Sequence, residues 1–198
     1  MKALFDVGGF RGEFTEAAFL HFDLIHLFEP SPSLYEGLFE KKATSTKMGW
    51  DKVHIHPYGL WNKFAYQNLY HSSTRSGTIF KDKVYYDVYW DELEEDLVED
   101  CVLVPAHLIR PIGGAQNFMK LNCEGCEVGI LESLADSGMI NAYSSIFVDF
   151  DFYKSQSLHA ESIEKVKYIM KQYKDKIYDA TGRKESHEDA IKRWMTHI

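Results

Sequence analysis

A glycine-rich turn near the start of the chain has the residue types that bind a nucleoside ligand. Residues 6–15 have the sequence DVGGFRGEFT, in which Gly8, Gly9 and Gly12 stand between an apolar run and an amphipathic one. Glycine allows a positive φ and lets a ligand approach the backbone, and the N-terminus of a following helix offers N–H donors to an anion. Glu29 stands 20 positions after Gly9, at the end of the next apolar run, where a carboxylate can accept both hydroxyls of a ribose. Together the two features predict an adenosine-binding site.

The spacing of these residues distinguishes between adenosine ligands. An NAD-binding G-x-G-x-x-G pattern ending on Gly12 would require glycine at Val7, and the Gly-Lys-Ser/Thr of a phosphate-binding loop does not follow. The pattern present is Asp-x-Gly-x-x-x-Gly, in which Asp6 suits a cationic amine and is a poor neighbour for pyrophosphate. S-adenosylmethionine has an ammonium, a carboxylate and a ribose diol but no phosphate, so we predict it as the ligand. The alternative is a tight strand–helix turn in some other α/β fold.

Histidine, cysteine and acidic side chains are the other candidates for chemistry. His54 and His56 share one face of a predicted strand, and His56 lies near the carboxyl end, where it is a candidate general base. A redox or zinc interpretation of the Cys123/Cys126 pair competes with a simpler one, two small buried residues at a strand–helix junction. A metal interpretation of His-x-His competes with coincidence, because the chain has nine histidines. We therefore predict no metal. The further candidate bases are His107 and Asp149.

Strands and helices must position these side chains. Short apolar runs predict strands at 3–7, 24–28, 53–58, 118–122 and 146–150, and the tail at 177–179 and 191–195. Helical spacing predicts helices over 13–21, from Ser31 or Ser33 onward, over 124–134 and over 157–173. This alternation predicts an α/β fold with a mostly parallel central sheet and helices on both faces. In such sheets the ligand lies beyond the carboxyl ends of the strands.

The segment from about residue 61 to residue 116 has little helical periodicity and is rich in aromatic, Ser, Thr and Gly residues. Within it, residues 85–90 are strand-like, and residues 91–100 are acidic with some helical character. A loop-rich segment of this length inside a compact domain is usually functional. We expect one domain over residues 1–198, with this insertion shaping the substrate site.

Composition narrows the class of partner. The 22 basic and 30 acidic side chains give a net charge of −8, which argues against nucleic acid and favours a neutral or cationic substrate. No run approaches the ~18 apolar residues of a membrane helix. The first residues lack the apolar region of a signal peptide, and three cysteines do not make a disulfide framework. We therefore expect a cytoplasmic protein.

Four segments resemble the FkbM-like class I S-adenosylmethionine-dependent methyltransferases, in order over roughly residues 3–153. They are residues 6–15, residues 26–32 (HLFEPSP), residues 58–61 (YGLW) and residues 119–127 (MKLNCEGCE). The last is similar to the family's Lys-hydrophobic-Asp-x-Glu-Gly-x-Glu signature, the most specific of the four. The resemblance implies a Rossmann-like class I methyltransferase fold with a loop-rich insertion before strand four, and S-adenosylmethionine as cofactor.

The resemblance also implies roles for individual residues. Asp6, Gly8 and Gly12 would hold the methionine end of the cofactor, and Glu29 would bind the ribose hydroxyls. The other implied cofactor-binding residues are Gly9, Phe10, Phe14, Thr15, Pro30, Asn122 and, near the adenine, Gly59 and Leu60.

The chain departs from the family at Asn122, where relatives usually have Asp, and at Gly9-Phe10, where they usually have Ala-Asn. An amide cannot act as a general base near neutral pH, so this chain needs another base or relies on positioning. The catalytic candidates are Asn122, Glu124 and His56, and Glu127 is expected to be structural at the helix start.

The predicted activity is methyl transfer from S-adenosylmethionine to a hydroxyl of a small molecule, sugar or natural product. A module that binds S-adenosylmethionine or a partner protein without catalysis is the first alternative, and Asn122 motivates it. An NAD-dependent oxidoreductase is the second alternative, which Val7 disfavours. A homodimer formed through the aromatic insertion is one open arrangement.

Overall fold

The computed structural model describes residues 1–71, 77–80, 97–152 and 156–197. Its strands are β1 (Lys2–Val7), β2 (Leu24–Phe28), β3 (Val53–His56), β4 (Gly59–Trp61), β5 (Ala65–His71), β6 (Leu97–Pro105), β7 (Gln116–Leu121), β8 (Ser145–Val148) and β9 (Ile177–Asp179). Its α-helices are α1 (Glu13–Ala18), α2 (Pro32–Thr44), α3 (Glu127–Asp136), α4 (Gln156–Gln172) and α5 (His187–Thr196). Within the described ranges, the helices lack the combination of length and apolar character that crossing a membrane requires.

Six parallel strands form the central sheet, in the order β3-β2-β1-β7-β8-β9. The chain builds outward from β1 to β3 and then returns to place β7 on the other side of β1, which creates a switch point between β1 and β7. Val7 pairs with Phe28 of β2 and with Leu121 of β7, so the carboxyl ends of these three strands meet at one edge. The predicted parallel α/β class is confirmed.

Alternate residues of β1 enter two separate cores. Phe5 packs with Leu131 of α3 on one face of the sheet. Leu4 lies in a second cluster on the opposite face, with Phe14 of α1 and Trp194 of α5. Because successive side chains of a strand point to opposite faces, this alternation covers the sheet with helices on both sides.

The segment predicted to be loop-rich contains a second, three-stranded sheet in the order β4-β6-β5, in which β5 and β6 are antiparallel. Residues 97–100 lie in β6, so the helical character expected over residues 91–100 is wrong for this part. Residues 91–96, and the strand expected over residues 85–90, lie outside the described residues. The alternation of apolar and polar residues that marks a strand is hard to recognise in β5 and β6, because the exposed face of this sheet is itself apolar. Tyr66, Val98 and Val102 are exposed, whereas Cys101 and Leu103 are buried.

Capping serines begin α2 and α5. Ser31 Oγ accepts a hydrogen bond from the N–H of Leu34 at 3.3 Å, and Ser186 Oγ accepts one from the N–H of Asp189 at 3.2 Å. The second cap starts a helix, so the strand predicted over residues 191–195 is wrong. Ile191 and Trp194 are instead buried at helical spacing in α5. The strand predicted over residues 177–179 is confirmed as β9.

Candidate cofactor-binding site

The turn after β1 brings the backbone of β1 against the end of β7. The N–H groups of Gly8 and Gly9 both donate to the carbonyl oxygen of Phe28 at 3.0 Å. Gly8 has a φ of +77°, and a Cβ there would lie 1.9 Å from the carbonyl oxygen of Asn122. Glycine is therefore required at Gly8 both for its left-handed backbone and for the close approach of the two strand ends.

Glu29 follows β2, and two backbone donors fix its carboxylate. Oε2 accepts a hydrogen bond from the N–H of Phe10 at 2.8 Å, and Oε1 accepts one from the N–H of Ser31 at 3.0 Å. Burial raises the pKa of Glu29 to about 7, and these two donors and the nearby Lys120 ammonium offset part of that rise. Because a carboxylate oxygen has two lone pairs, each oxygen keeps an acceptor position for a ligand hydroxyl.

Asp6 stabilises the turn through its contacts with Thr15 and Lys120. Its buried carboxylate accepts a hydrogen bond from Thr15 Oγ1 at 2.7 Å and forms an ion pair with Lys120 Nζ at 3.0 Å. Lys120 Nζ also donates to the carbonyl oxygens of Val7 at 3.2 Å and Gly8 at 2.7 Å. The Asp6 side chain is thus turned toward Thr15 and Lys120, which gives it a structural part in shaping the turn.

A cavity of about 250 Å³ opens at the switch point, between the ends of β1, β2 and β7 and strand β4 of the second sheet. Nine of the residues predicted to bind the cofactor line it: Gly8, Gly9, Phe10, Phe14, Glu29, Pro30, Gly59, Leu60 and Asn122. The other three, Asp6, Gly12 and Thr15, do not line it. The sequence motifs therefore converge on one cavity, although they are separated along the chain.

The junction between β7 and α3 contributes Asn122 and Glu124 to the cavity wall. Glu124 has a φ of +57°, in the left-handed region. Glu127 is fully buried, and its Oε1 accepts hydrogen bonds from the N–H groups of Cys123 at 2.8 Å and Gly125 at 3.2 Å. Glu124 therefore lines the cavity, and the Glu127 carboxylate holds the backbone of this junction.

His56 lies away from the cavity, which corrects its assignment as a candidate base. Its Nε2 is 2.9 Å from Nδ1 of His26, and its ring stacks on Phe28 with the centroids 4.5 Å apart. Burial lowers the pKa of His56, and that of His26 to about 4. His107, also off the cavity, lies with its Nδ1 2.8 Å from Ser133 Oγ, whereas Asp149 does line the cavity.

Metal-binding arrangements are not found where the sequence offered candidates for them. Cys101 and Cys123 are free thiols, and burial raises the pKa of Cys123 well above its usual value. Among the residues that the structure describes, no group of three or more His, Cys, Asp or Glu side chains is arranged to hold a metal ion.

The C-terminal segment supplies cavity residues that the sequence analysis does not predict. Arg183, Glu185 and His187 line the cavity, because the start of α5 packs beside α1 at the edge of the sheet. Partial burial, together with the Lys120 ammonium, lowers the pKa of His187. The sequence signal for this placement is the Ser-x-x-Asp cap at Ser186, which marks the beginning of a helix where a strand was predicted.

These features define a candidate small-molecule site at the switch point of an open parallel α/β sheet. The crystal structure of the methyltransferase FkbM from Methylobacillus flagellatus has a similar fold, with a TM-score of 0.52 and 14% sequence identity. The alignment covers 86% of this chain and 38% of that one, so the chain spans less than half of its neighbour's length. The fold is therefore FkbM-like, as the sequence motifs predict. No family model matches the sequence, and no curated protein does.

Proposed function

We propose that the protein is an S-adenosylmethionine-dependent methyltransferase that acts on a hydroxyl of a small molecule, sugar or natural product. The observation that carries this proposal is the position of Glu29, whose oriented carboxylate lines the same switch-point cavity as the glycine turn and Asn122. The fold, which is that of a methyltransferase structure, supports the same conclusion.

The residues of the cavity fit the parts of this cofactor. The open lone pairs of Glu29 match the two ribose hydroxyls. Beside them lies an apolar slot lined by Pro30, Gly59 and Leu103. Leu60 completes this slot, which suits the flat, largely apolar faces of adenine.

When bound, S-adenosylmethionine supplies a methyl group on a sulfonium, which is already activated for displacement. The chain then has to align the acceptor hydroxyl, exclude water and accept the hydroxyl proton. Asn122 can hydrogen bond to the acceptor but cannot take its proton. We assign proton acceptance to His187, because it lines the cavity and its pKa is lowered from the ordinary histidine value, which favours the neutral imidazole.

Isothermal titration calorimetry of the full chain with S-adenosylhomocysteine and with NAD tests the proposed cofactor. S-adenosylhomocysteine should bind and NAD should not. Glu29→Gln should weaken S-adenosylhomocysteine binding by roughly tenfold or more, because an amide cannot accept through both of its terminal groups. Glu36→Gln, the same change on the exposed surface of α2, is the matched control and should have no effect. Binding of NAD instead would favour an oxidoreductase, and binding of neither ligand would favour a protein-interaction module.

Asn122 favours a second candidate function, in which the protein binds S-adenosylmethionine without turnover. The amide stands on the cavity wall where a carboxylate would otherwise be available as a base. A methyl-transfer assay distinguishes the two functions: the protein is incubated with methyl-labelled S-adenosylmethionine and a panel of sugars and hydroxylated small molecules. Cofactor binding with no labelled product from any acceptor would favour the second.

A further inference from the structure

The charges that line the cavity are unequal in number. Within the described residues they come from five acidic side chains, Glu13, Glu29, Glu124, Asp149 and Glu185, of which Glu29 has a pKa raised to about 7, and from two permanent cations, Lys120 and Arg183. The proposed cofactor carries two positive charges, on its ammonium and its sulfonium, and one negative charge on its carboxylate. An acidic cavity favours the two cations, whereas the carboxylate needs a basic partner.

Lys120 is not available as that partner. Its ammonium forms the ion pair with Asp6 at 3.0 Å and donates to the carbonyl oxygens of Val7 and Gly8 at 3.2 and 2.7 Å. A lysine ammonium has three N–H donors, and these contacts use all of them. A ligand carboxylate would therefore have to displace a contact that shapes the turn.

Arg183 is the cation that remains. Its Nη1 donates to the hydroxyl of Tyr178 at 2.7 Å, and its guanidinium lies 4.9 Å from the centre of the buried Tyr178 ring. Among the described residues it forms no ion pair with a carboxylate, although it is exposed at the rim of a cavity with acidic walls. A guanidinium has five N–H donors in a planar fork that matches a carboxylate, and the tyrosine contact uses one of them.

The turn that carries Arg183 is fixed to the end of β8. The N–H of Ala180 donates to the carbonyl oxygen of Val148 at 2.8 Å, and the N–H of Phe150 donates to Thr181 Oγ1 at 2.9 Å. Within the turn, the N–H of Arg183 donates to the carbonyl oxygen of Ala180 at 3.1 Å. The turn is therefore in place before any ligand arrives, and the hydrogen bond to the Tyr178 hydroxyl holds the guanidinium, which lowers the entropic cost of binding.

We infer that Arg183 binds the carboxylate of the amino-acid end of S-adenosylmethionine, an assignment that rests on the proposed function. Its neighbours are compatible with this role. Glu185, the nearest acid along the chain, is neutralised by an ion pair with Arg193 Nη2 at 2.9 Å. The lowered pKa of His187 leaves a neutral imidazole that does not compete for the carboxylate.

The test compares two ligands that differ in the amino-acid end. S-adenosylhomocysteine carries the carboxylate, and 5′-methylthioadenosine has the same adenosine and thioether but no amino-acid end. Calorimetric titrations of wild type and Arg183→Gln should show a loss of roughly tenfold in affinity for S-adenosylhomocysteine. Affinity for 5′-methylthioadenosine should stay unchanged, and this also shows that the variant is folded around an intact adenosine site.

Lys184→Gln is the matched control. It removes the same charge from the residue next to Arg183, and the Lys184 side chain does not line the cavity. It should leave both affinities unchanged, and Arg183→Lys should lose less affinity for S-adenosylhomocysteine than Arg183→Gln. Equal losses for both ligands, or no loss for either, would overturn the assignment of Arg183 while leaving the cofactor in place. Failure of the wild type to bind either ligand would instead overturn the proposed function, and the assignment with it.

Discussion

Replacing Gly8 with alanine would force a side chain into the contact between the ends of β1 and β7. The φ of +77° at Gly8 is left-handed, and the new Cβ would lie 1.9 Å from the carbonyl oxygen of Asn122 and 2.8 Å from its carbonyl carbon. A left-handed alanine costs roughly 1–2 kcal/mol. Moving packed backbone to relieve the clash adds roughly 1–3 kcal/mol. We expect Gly8→Ala to lower the free energy of unfolding by roughly 2–5 kcal/mol in total.

Urea unfolding followed by circular dichroism measures this loss. Gly138→Ala is the matched control, because Gly138 has a φ of +73° but a Cβ there meets no heavy atom within 4 Å in the described part of the chain. Gly138→Ala should therefore lose only the free energy that a left-handed alanine costs, without the cost of a clash. The excess loss in Gly8→Ala, roughly 1–3 kcal/mol, is the cost of displacing Asn122. Equal losses in the two variants would refute the close approach of the strand ends.

Three further predictions address the charges of the site. Burial raises the pKa of Glu29 to about 7, and an ionised carboxylate binds a ribose best. Calorimetric titration should therefore show the affinity for S-adenosylhomocysteine falling about tenfold from pH 8 to pH 6, and Glu29→Gln should show no such fall. Lys120→Met leaves the Asp6 carboxylate buried without its ion pair and should cost roughly 3–5 kcal/mol in urea unfolding. Lys47→Met, which breaks an exposed ion pair, should cost at most roughly 1 kcal/mol. Similar losses in the two variants would contradict a buried ion pair between Lys120 and Asp6. Asn122→Asp should increase transfer of labelled methyl to hydroxyl acceptors without increasing cofactor affinity, and an unchanged rate would count against a role for this position in the reaction.

The strands at the switch point could be predicted from the sequence because their signals are local. Each of β1, β2 and β7 is a short apolar run that ends in the residues serving the site, such as Gly8, Glu29 and Asn122. The turn glycines and the carboxylate proposed to bind the ribose follow from local backbone geometry and from residue spacing, and a single sequence contains both signals. For the same reason the motifs predict the fold class.

The rest of the site depends on contacts between distant parts of the chain. The partner of Asp6 is Lys120, on a strand that becomes its neighbour only after the sheet has formed. His56 stands at a strand end in the sequence, but the pleat turns its ring onto the face of the sheet beside His26. Arg183 reaches the cavity because its turn is hydrogen bonded to the end of β8 and the following helix α5 packs against α1, and both are contacts between distant parts of the chain.

A crystal structure of the protein with S-adenosylhomocysteine bound tests the central claim most directly. The account predicts the ligand in the switch-point cavity, with both ribose hydroxyls about 2.6–3.2 Å from the Glu29 carboxylate. The adenine should lie against Gly59 and Leu60, and the thioether should point toward Asn122. A ligand bound elsewhere on the chain, or bound in this cavity with its ribose away from Glu29, would contradict the account.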